Sequence, residues 1–417
     1  MEKTTQTQTF DKVRERFPSL HQRINGRSPV YFDNPGGTQV PQSVIDAMVA
    51  YLATSNSNKG GAFTTSRRTD ATVKGARHAM MDMLNASRPE EIVIGPNMTT
   101  LTFHNARSIG QTLNPGEELV VTRMDHDANV APWLLLARDH NLPARMVDFN
   151  PETGRLNYTQ LEAMVNRNTK VIACVYASNA LGTINDMPRV VQLARSVGAM
   201  TYIDAVQYAP HGPIDVQALD VDFLACSAYK FFGPHLGIVY GKYDLLESLP
   251  VYKVRPAPAT VPGRWETGTG QFEAMAGLTA AVDYLAWGGD ELGTPASDAR
   301  RDQVQAGMTA IRAYEMGLSQ RLLDGLASIP SVTVKGITDE VAERVPTIIF
   351  TVDGFTPREA AEALAADEIY VWNGDYYAIA VMELLGMQKS GGMVRVGAAH
   401  YNTPDEVDRF LNRVENL

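Results

Sequence analysis

At 417 residues the chain is too long for one compact core and suits about two domains. Its hydrophobic content of 44% and charged content of 20% are those of an ordinary globular protein. The net charge of −10, spread along the chain, argues against nucleic acid or an anionic membrane surface as the main partner, since both reward clustered Lys and Arg.

No apolar run approaches the roughly 20 residues that span a bilayer. The polar opening, Met-Glu-Lys-Thr-Thr-Gln-Thr-Gln-Thr, has no signal-peptide core, so a cytoplasmic protein is expected. Cys174 and Cys226 are the two cysteines, and both sit in apolar runs (VIACVYAS and FLACSAYK). They read as buried, reduced thiols. A disulfide framework is excluded, and without zinc-type Cys/His spacing no metal site is expected.

In chain order, a helical pattern over Phe10–Phe17 belongs to an arm, residues 1–25, expected to pack on a C-terminal domain. From Glu91 to Tyr240, β-rich runs alternate with helical stretches such as Thr99–Gln111 and Met187–Ser196. The runs are EIVIG, EELVVT, ARMVDF, KVIACVYAS, MTYIDAV, DFLACSAYK and GIVYG. Several are apolar on both faces, as strands covered by helices on both sides must be. That alternation predicts an α/β domain, residues 26–276, around a mainly parallel seven-stranded sheet. The Gly/Pro-rich stretch Arg255–Gly270 then marks a change of layer. Beyond Gly277 come a long helical region near Pro295–Ile329, the runs VTVKG and TIIFTVDG, a helix at Pro357–Asp367, IYVWNG, MVRVG and a last helix from Pro404. Helices segregated from strands predict a smaller α+β domain, residues 277–417.

One segment carries chemistry. DFLACSAYKFFGPHLG sets Lys230 between aromatics just after a strand. A strand-end lysine on its own snorkels to solvent. In an apolar setting, however, its amine becomes neutral and nucleophilic enough to condense with an aldehyde. The companions favour the second reading. Asp204 ends the strand MTYIDAVQ, where an unpaired buried carboxylate is costly. Pyridoxal phosphate needs such a carboxylate to keep its pyridine nitrogen protonated, because only then is the ring a strong electron sink. Gln207 and Asn179, the latter in SNALGT, are placed to donate toward the ring oxygen. His126, in MDHDANVAPW, comes where a strand gives way to a helix and suits an aromatic lying over a flat ring. Met98 and Thr99 open a helix in IGPNMTTLTFHNA, offering backbone N–H groups and a hydroxyl to phosphate. Ser227 adds a further hydroxyl.

Together these segments resemble the class V aminotransferase and cysteine desulfurase group of fold-type I pyridoxal-phosphate enzymes. The likeness opens at VYFDNPGGTQVPQSV and runs through PNMTTLTFHNA, DHDANVAPW, YASNALGTI, YIDAVQYAPH, CSAYKFFGPHLG and ETGTGQFEA. It ends at VRVGAAHYNTPDEVDRF and so covers nearly the whole chain. The resemblance implies that Lys230 holds the cofactor covalently and shuttles the α-proton, with Asp204 on the pyridine nitrogen and His126 stacked on the ring. It implies Asn179 and Gln207 at the ring oxygen, and Met98, Thr99 and Ser227 at the phosphate, with Thr269 reaching the phosphate of a neighbouring subunit. Arg395 matches the residue that grips the substrate carboxylate. Asn34, Trp372 and Tyr377 are the further substrate-facing candidates. A homodimer with shared active sites and a small amino-acid substrate is also implied.

The departures from the group bear on the reaction. Its desulfurases carry a cysteine on a loop before the final strand, whose thiolate takes sulfur as a persulfide. Here that loop reads YVWNGDYYAIAVMELLG, with Tyr377 near the position, and no cysteine follows Cys226. Tyr229 stands where many desulfurases have histidine. Four readings stay open: β-elimination on cysteine or a β-substituted amino acid; transamination or epimerisation; desulfuration with an external thiol; and a non-catalytic scaffold, which has no use for an electron sink. The first is taken forward. It needs a base and a leaving group, and no cysteine.

Overall fold

The computed structural model describes residues 10–417, so the expected arm is described from residue 10 onward. After a short strand β1 (Val30–Tyr31), all seven β-rich runs form strands: β2 (Ile92–Gly95), β3 (Glu118–Thr122), β4 (Ala144–Val147), β5 (Thr169–Val175), β6 (Met200–Asp204), β7 (Phe223–Ser227) and β8 (Gly237–Gly241). They make one sheet in the order β2-β8-β7-β6-β5-β3-β4. Only β8 runs against its neighbours β2 and β7; the rest are parallel. Alternate residues feed two apolar clusters. Ile172, Cys174, Ile203, Leu224 and Cys226 enter one, while Val171, Ala173, Tyr202, Phe223 and Ala225 enter the other. Two buried faces explain why these runs are continuously apolar.

The second sheet is antiparallel. It comprises β9 (Val332–Lys335), β10 (Thr347–Val352), β12 (Trp372–Gly374) and β13 (Met393–Gly397), in the order β12-β13-β10-β9. Strand β11 (Ile369–Tyr370) pairs in parallel with β1, tying the start of the chain to this sheet's layer. The helices Arg300–Ser328, Pro357–Ala365 and Pro404–Glu415 contribute to its apolar cluster.

The helical region expected near Pro295–Ile329 begins later, at Arg300, and a helix not anticipated from sequence, Phe272–Leu292, precedes it. The joint expected between residues 276 and 277 falls inside that helix. Gly277 reads as a break in the sequence, yet its role is close packing. A side-chain carbon there would come within 2.8 Å of Met48, on the crossing helix Gln42–Thr54. The helix Arg300–Ser328 bridges the two layers: Val304, Met308 and Ile311 enter the large sheet's cluster, and Leu318, Leu322 and Leu326 that of the second sheet. The arm packs on both layers: Phe10 stacks on Tyr314 at 3.7 Å, and Phe17 lies among Phe232, Tyr284 and Tyr401.

Candidate active site

Because β3, β5, β6 and β7 are parallel, their C-terminal ends share one edge of the sheet, where ligands bind in open α/β folds. His126 follows β3, Asn179 follows β5, Asp204 ends β6, and Lys230 closes a single 3-10 turn after β7. These four converge on a small inner chamber of about 60 Å³ that Met98, Thr99 and Gln207 complete. A larger outer chamber of about 700 Å³ shares Lys230, His126 and Asn179 and adds Arg395, strand β12 and the turn Asp375–Tyr377 that follows it.

Burial sets the chemistry of the inner residues. Lys230 is held at a pKa of about 7 by burial and then by the nearby charge of Arg395, against the pull of Asp204 and Asp33. Its Nζ donates to the Pro35 carbonyl. Burial lifts Asp204 to about 6 even though the Val206 N–H donates to its Oδ1 at 2.9 Å. Burial and the charge of Lys230 bring His126 down to about 4, so the ring is neutral. Its Nδ1 accepts the Ala128 N–H at 3.0 Å, which leaves Nε2 to carry the proton.

The outer chamber is walled by aromatics. Arg395 is buried, donates from Nη1 to the Asn179 carbonyl at 2.8 Å, and lies 4.4 Å over the ring of Tyr376. Tyr376 and Tyr377 both sit in the left-handed region, each at φ 56°, a strain of about 1–3 kcal/mol apiece that only a held geometry sustains. The double reversal turns Tyr376 inward, its hydroxyl on the Met393 carbonyl, and Tyr377 outward, 5.5 Å from His126. Trp372 lies against Gly36.

A match to the family described as aminotransferase class-V spans residues 30–410. The chain belongs to the class-V aminotransferase family. It is similar to a cysteine desulfurase of Pectobacterium atrosepticum, 30% identical over 423 residues and covering 98% of each chain. It is also similar to the aminotransferase-like protein FGM3 of Gibberella zeae, 33% identical over 98% of both chains. Among solved structures, the apo cysteine desulfurase of Thermococcus onnurineus NA1 aligns with a TM-score of 0.85 at 25% identity, over 97% of each chain. As a class-V aminotransferase-family member, the chain is a pyridoxal-phosphate-dependent enzyme of fold type I.

The inner chamber of this class-V chain suits that cofactor. Asp204 has no cation within salt-bridge distance among the described residues, and a buried carboxylate left so is a place for a protonated ring nitrogen. Asn179 Oδ1 and Gln207 Oε1 are buried without hydrogen-bond partners, a cost of about 1–3 kcal/mol each unless a ligand meets them. Their amide nitrogens, expected to donate toward the ring oxygen, instead donate to the Tyr376 carbonyl at 2.9 Å and to Thr347 Oγ1 at 3.0 Å. Gln207 can exchange its two ends by half a turn, since the Thr347 hydroxyl can donate as well as accept, whereas the Tyr376 carbonyl fixes Asn179 as the donor. A side-chain carbon at Gly237 would overlap Asn97 and Met98, so glycine lets the start of the helix Met98–Gly110 reach the sheet edge. Ser227 Oγ is buried and unpartnered but lines neither chamber.

Two expected residues stand apart. Thr269 lines a separate cavity of about 590 Å³ with Lys59, Arg107 and Trp265. Asn34, expected to face substrate, is fully engaged. Its amide nitrogen donates to the Tyr31 and Gly397 carbonyls and to Asn402 Oδ1 at 2.8–3.0 Å, and its oxygen accepts from the Tyr401 hydroxyl. It pins β1 to the end of β13. Asn34→Ala is therefore expected to lower stability by about 2–4 kcal/mol in urea denaturation, with KM little changed. A large KM rise with unchanged stability would restore the substrate role.

Sequence reasoning passed over Asp33, whose Oδ1 is buried and unpartnered and which burial lifts to about 6, beside Arg395 and Lys230. It also passed over the Pro35 carbonyl on Lys230. Their signal was present in FDNPGG, but that segment reads as a turn, and nothing local reveals that it folds back onto Lys230.

Proposed function

We propose that this class-V enzyme catalyses β-elimination from cysteine or a β-substituted amino acid, without a persulfide-forming cysteine. The observation that carries the reading is the absence of a thiol from the reaction chamber. Cys174 and Cys226 are fully buried within β5 and β7, and burial raises both thiols far above the range where a thiolate forms at neutral pH. By the sequence resemblance, Tyr377 falls near the position that carries the persulfide-forming cysteine in desulfurases of this group.

Bound in the inner chamber, pyridoxal phosphate supplies an electron sink for the charge left at the α-carbon. Lys230 would anchor it, Asp204 would pair with the ring nitrogen, neutral His126 would cover the ring, and Met98 and Thr99 at the helix start would receive the phosphate, while Ser227 lies outside both chambers. Arg395, which lines the outer chamber and whose Nε has no partner, takes the substrate carboxylate. Lys230 Nζ accepts the α-proton. An amine with a pKa of about 7 takes and returns a proton with little energetic bias at neutral pH.

A homodimer fits the same reading. Ile45, Val49 and Leu52 form an exposed apolar stripe on the helix Gln42–Thr54, and Thr269 lies outside its own chain's chambers. The test is product analysis with cysteine and β-chloroalanine. The reading expects pyruvate and ammonia, with sulfide from cysteine or chloride from the analogue. Sulfur retained on the protein, or a keto acid formed with the amine left on the cofactor, overturns it.

A further inference from the structure

The two chambers divide the work. Asp204, Gln207 and Thr99 line the inner one only; Arg395, β12 and the turn after it line the outer one only. Lys230, His126, Asn179 and Tyr229 line both chambers, so the cofactor takes the inner end of the outer space of about 700 Å³ and the end around Trp372 and Tyr377 is left to substrate. The chamber's mouth sets large apolar side chains beside Asn373, Asp375 and Gln388. Trp372 is 49% exposed, Tyr377 71% and Ile379 40%, three large apolar side chains left in water around one opening, with buried Met382 behind them. Clustered exposure of this kind marks a surface that a ligand covers. Of the residues lining that end, Asp375 alone carries a formal charge among the described residues, and its Oδ1 already accepts the Tyr377 N–H at 2.9 Å. An anionic leaving group finds no cation there. The backbone reversal at Tyr376 and Tyr377 is what turns one ring under Arg395 and the other across the mouth.

We propose that the substrate is an S-substituted cysteine whose leaving group is a bulky, uncharged aromatic or branched thiol, seated between Trp372, Tyr377, Ile379 and Met382. The inference rests on the β-elimination reading. The α-proton goes to Lys230 Nζ, the Cβ–S bond breaks, and sulfur leaves with the electron pair and gains a proton. One water then converts the three-carbon remainder to pyruvate and ammonium, so no oxidant or reductant is needed.

The test uses the holoenzyme and separates binding from elimination. Binding is read from the cofactor's visible spectrum with two analogues that have no leaving group, norvaline and 2-amino-5-phenylpentanoate. The phenyl analogue is expected to bind at least about tenfold tighter, as burial of an aromatic ring provides. Trp372→Ala combined with Tyr377→Ala is expected to cut that preference below about threefold. Turnover of S-benzylcysteine is expected to exceed that of S-methylcysteine in kcat/KM by a similar factor. Equal binding of the two analogues, or a preference that survives the double variant, overturns the inference. Tight, selective binding with no thiol released from any S-substituted cysteine overturns the elimination reading and leaves the pocket assignment standing.

Discussion

Lys230→Ala is expected to lose the borohydride-trappable cofactor altogether and to reduce turnover by at least about 10⁴-fold, the upper range for a positioned proton-transfer group. Both losses come from one atom, because Nζ is the covalent anchor and the base. The variant is expected to fold. Burial holds the amine at about 7 instead of 10.5, so the charged form is penalised in the folded, cofactor-free protein. With a depressed pKa, the unfolded chain binds more protons than the folded one between about pH 7 and pH 10.5. The penalty is full below pH 7 and fades as pH rises toward 10.5. The cofactor-free variant is thus expected to melt above the wild type at pH 6, with the gap closing by pH 10. Lys230→Arg supplies the control, since a guanidinium stays charged and cannot take the α-proton. A trappable cofactor on the alanine variant would place the anchor elsewhere.

The inner chamber was legible in the sequence because its residues sit at strand ends. A strand that is apolar on both faces and then closes on Asp204, or runs into Lys230, declares a polar task at a fixed place, and parallel pairing brings such ends together. The outer chamber was less so. Tyr377 was legible as a loop aromatic, whereas Trp372 begins strand β12, and the inward turn of Tyr376 depends on a backbone conformation that tyrosine rarely adopts. The bonds of Asn34 to Gly397 and Asn402 were not legible, because they span more than three hundred residues and no local pattern encodes a bond of that reach. Gly277 misled for a related reason: glycine marks a helix break and a close helix crossing alike, and only the position of Met48 distinguishes them.

Asp204→Asn is expected to separate stability from function at this site. Burial raises Asp204 to about 6 from 3.8, so the folded state favours the protonated acid, and that stabilisation is present below pH 3.8 and lost as pH rises through 6. At pH 7 the ionised carboxylate costs the cofactor-free protein roughly 3 kcal/mol. Asparagine keeps the volume and the acceptor oxygen for the Val206 N–H without the charge. The cofactor-free variant is therefore expected to melt a few degrees above the wild type at pH 7 and level with it near pH 4. Loaded with pyridoxal phosphate, it is expected to lose about 10²–10³-fold in kcat, because nothing then holds the ring nitrogen protonated and the electron sink weakens. The cofactor's absorption should shift with pH in the variant and stay constant in the wild type. If the variant kept kcat within about threefold, the carboxylate would not be the partner of the ring nitrogen, and its burial would need another cation to explain it.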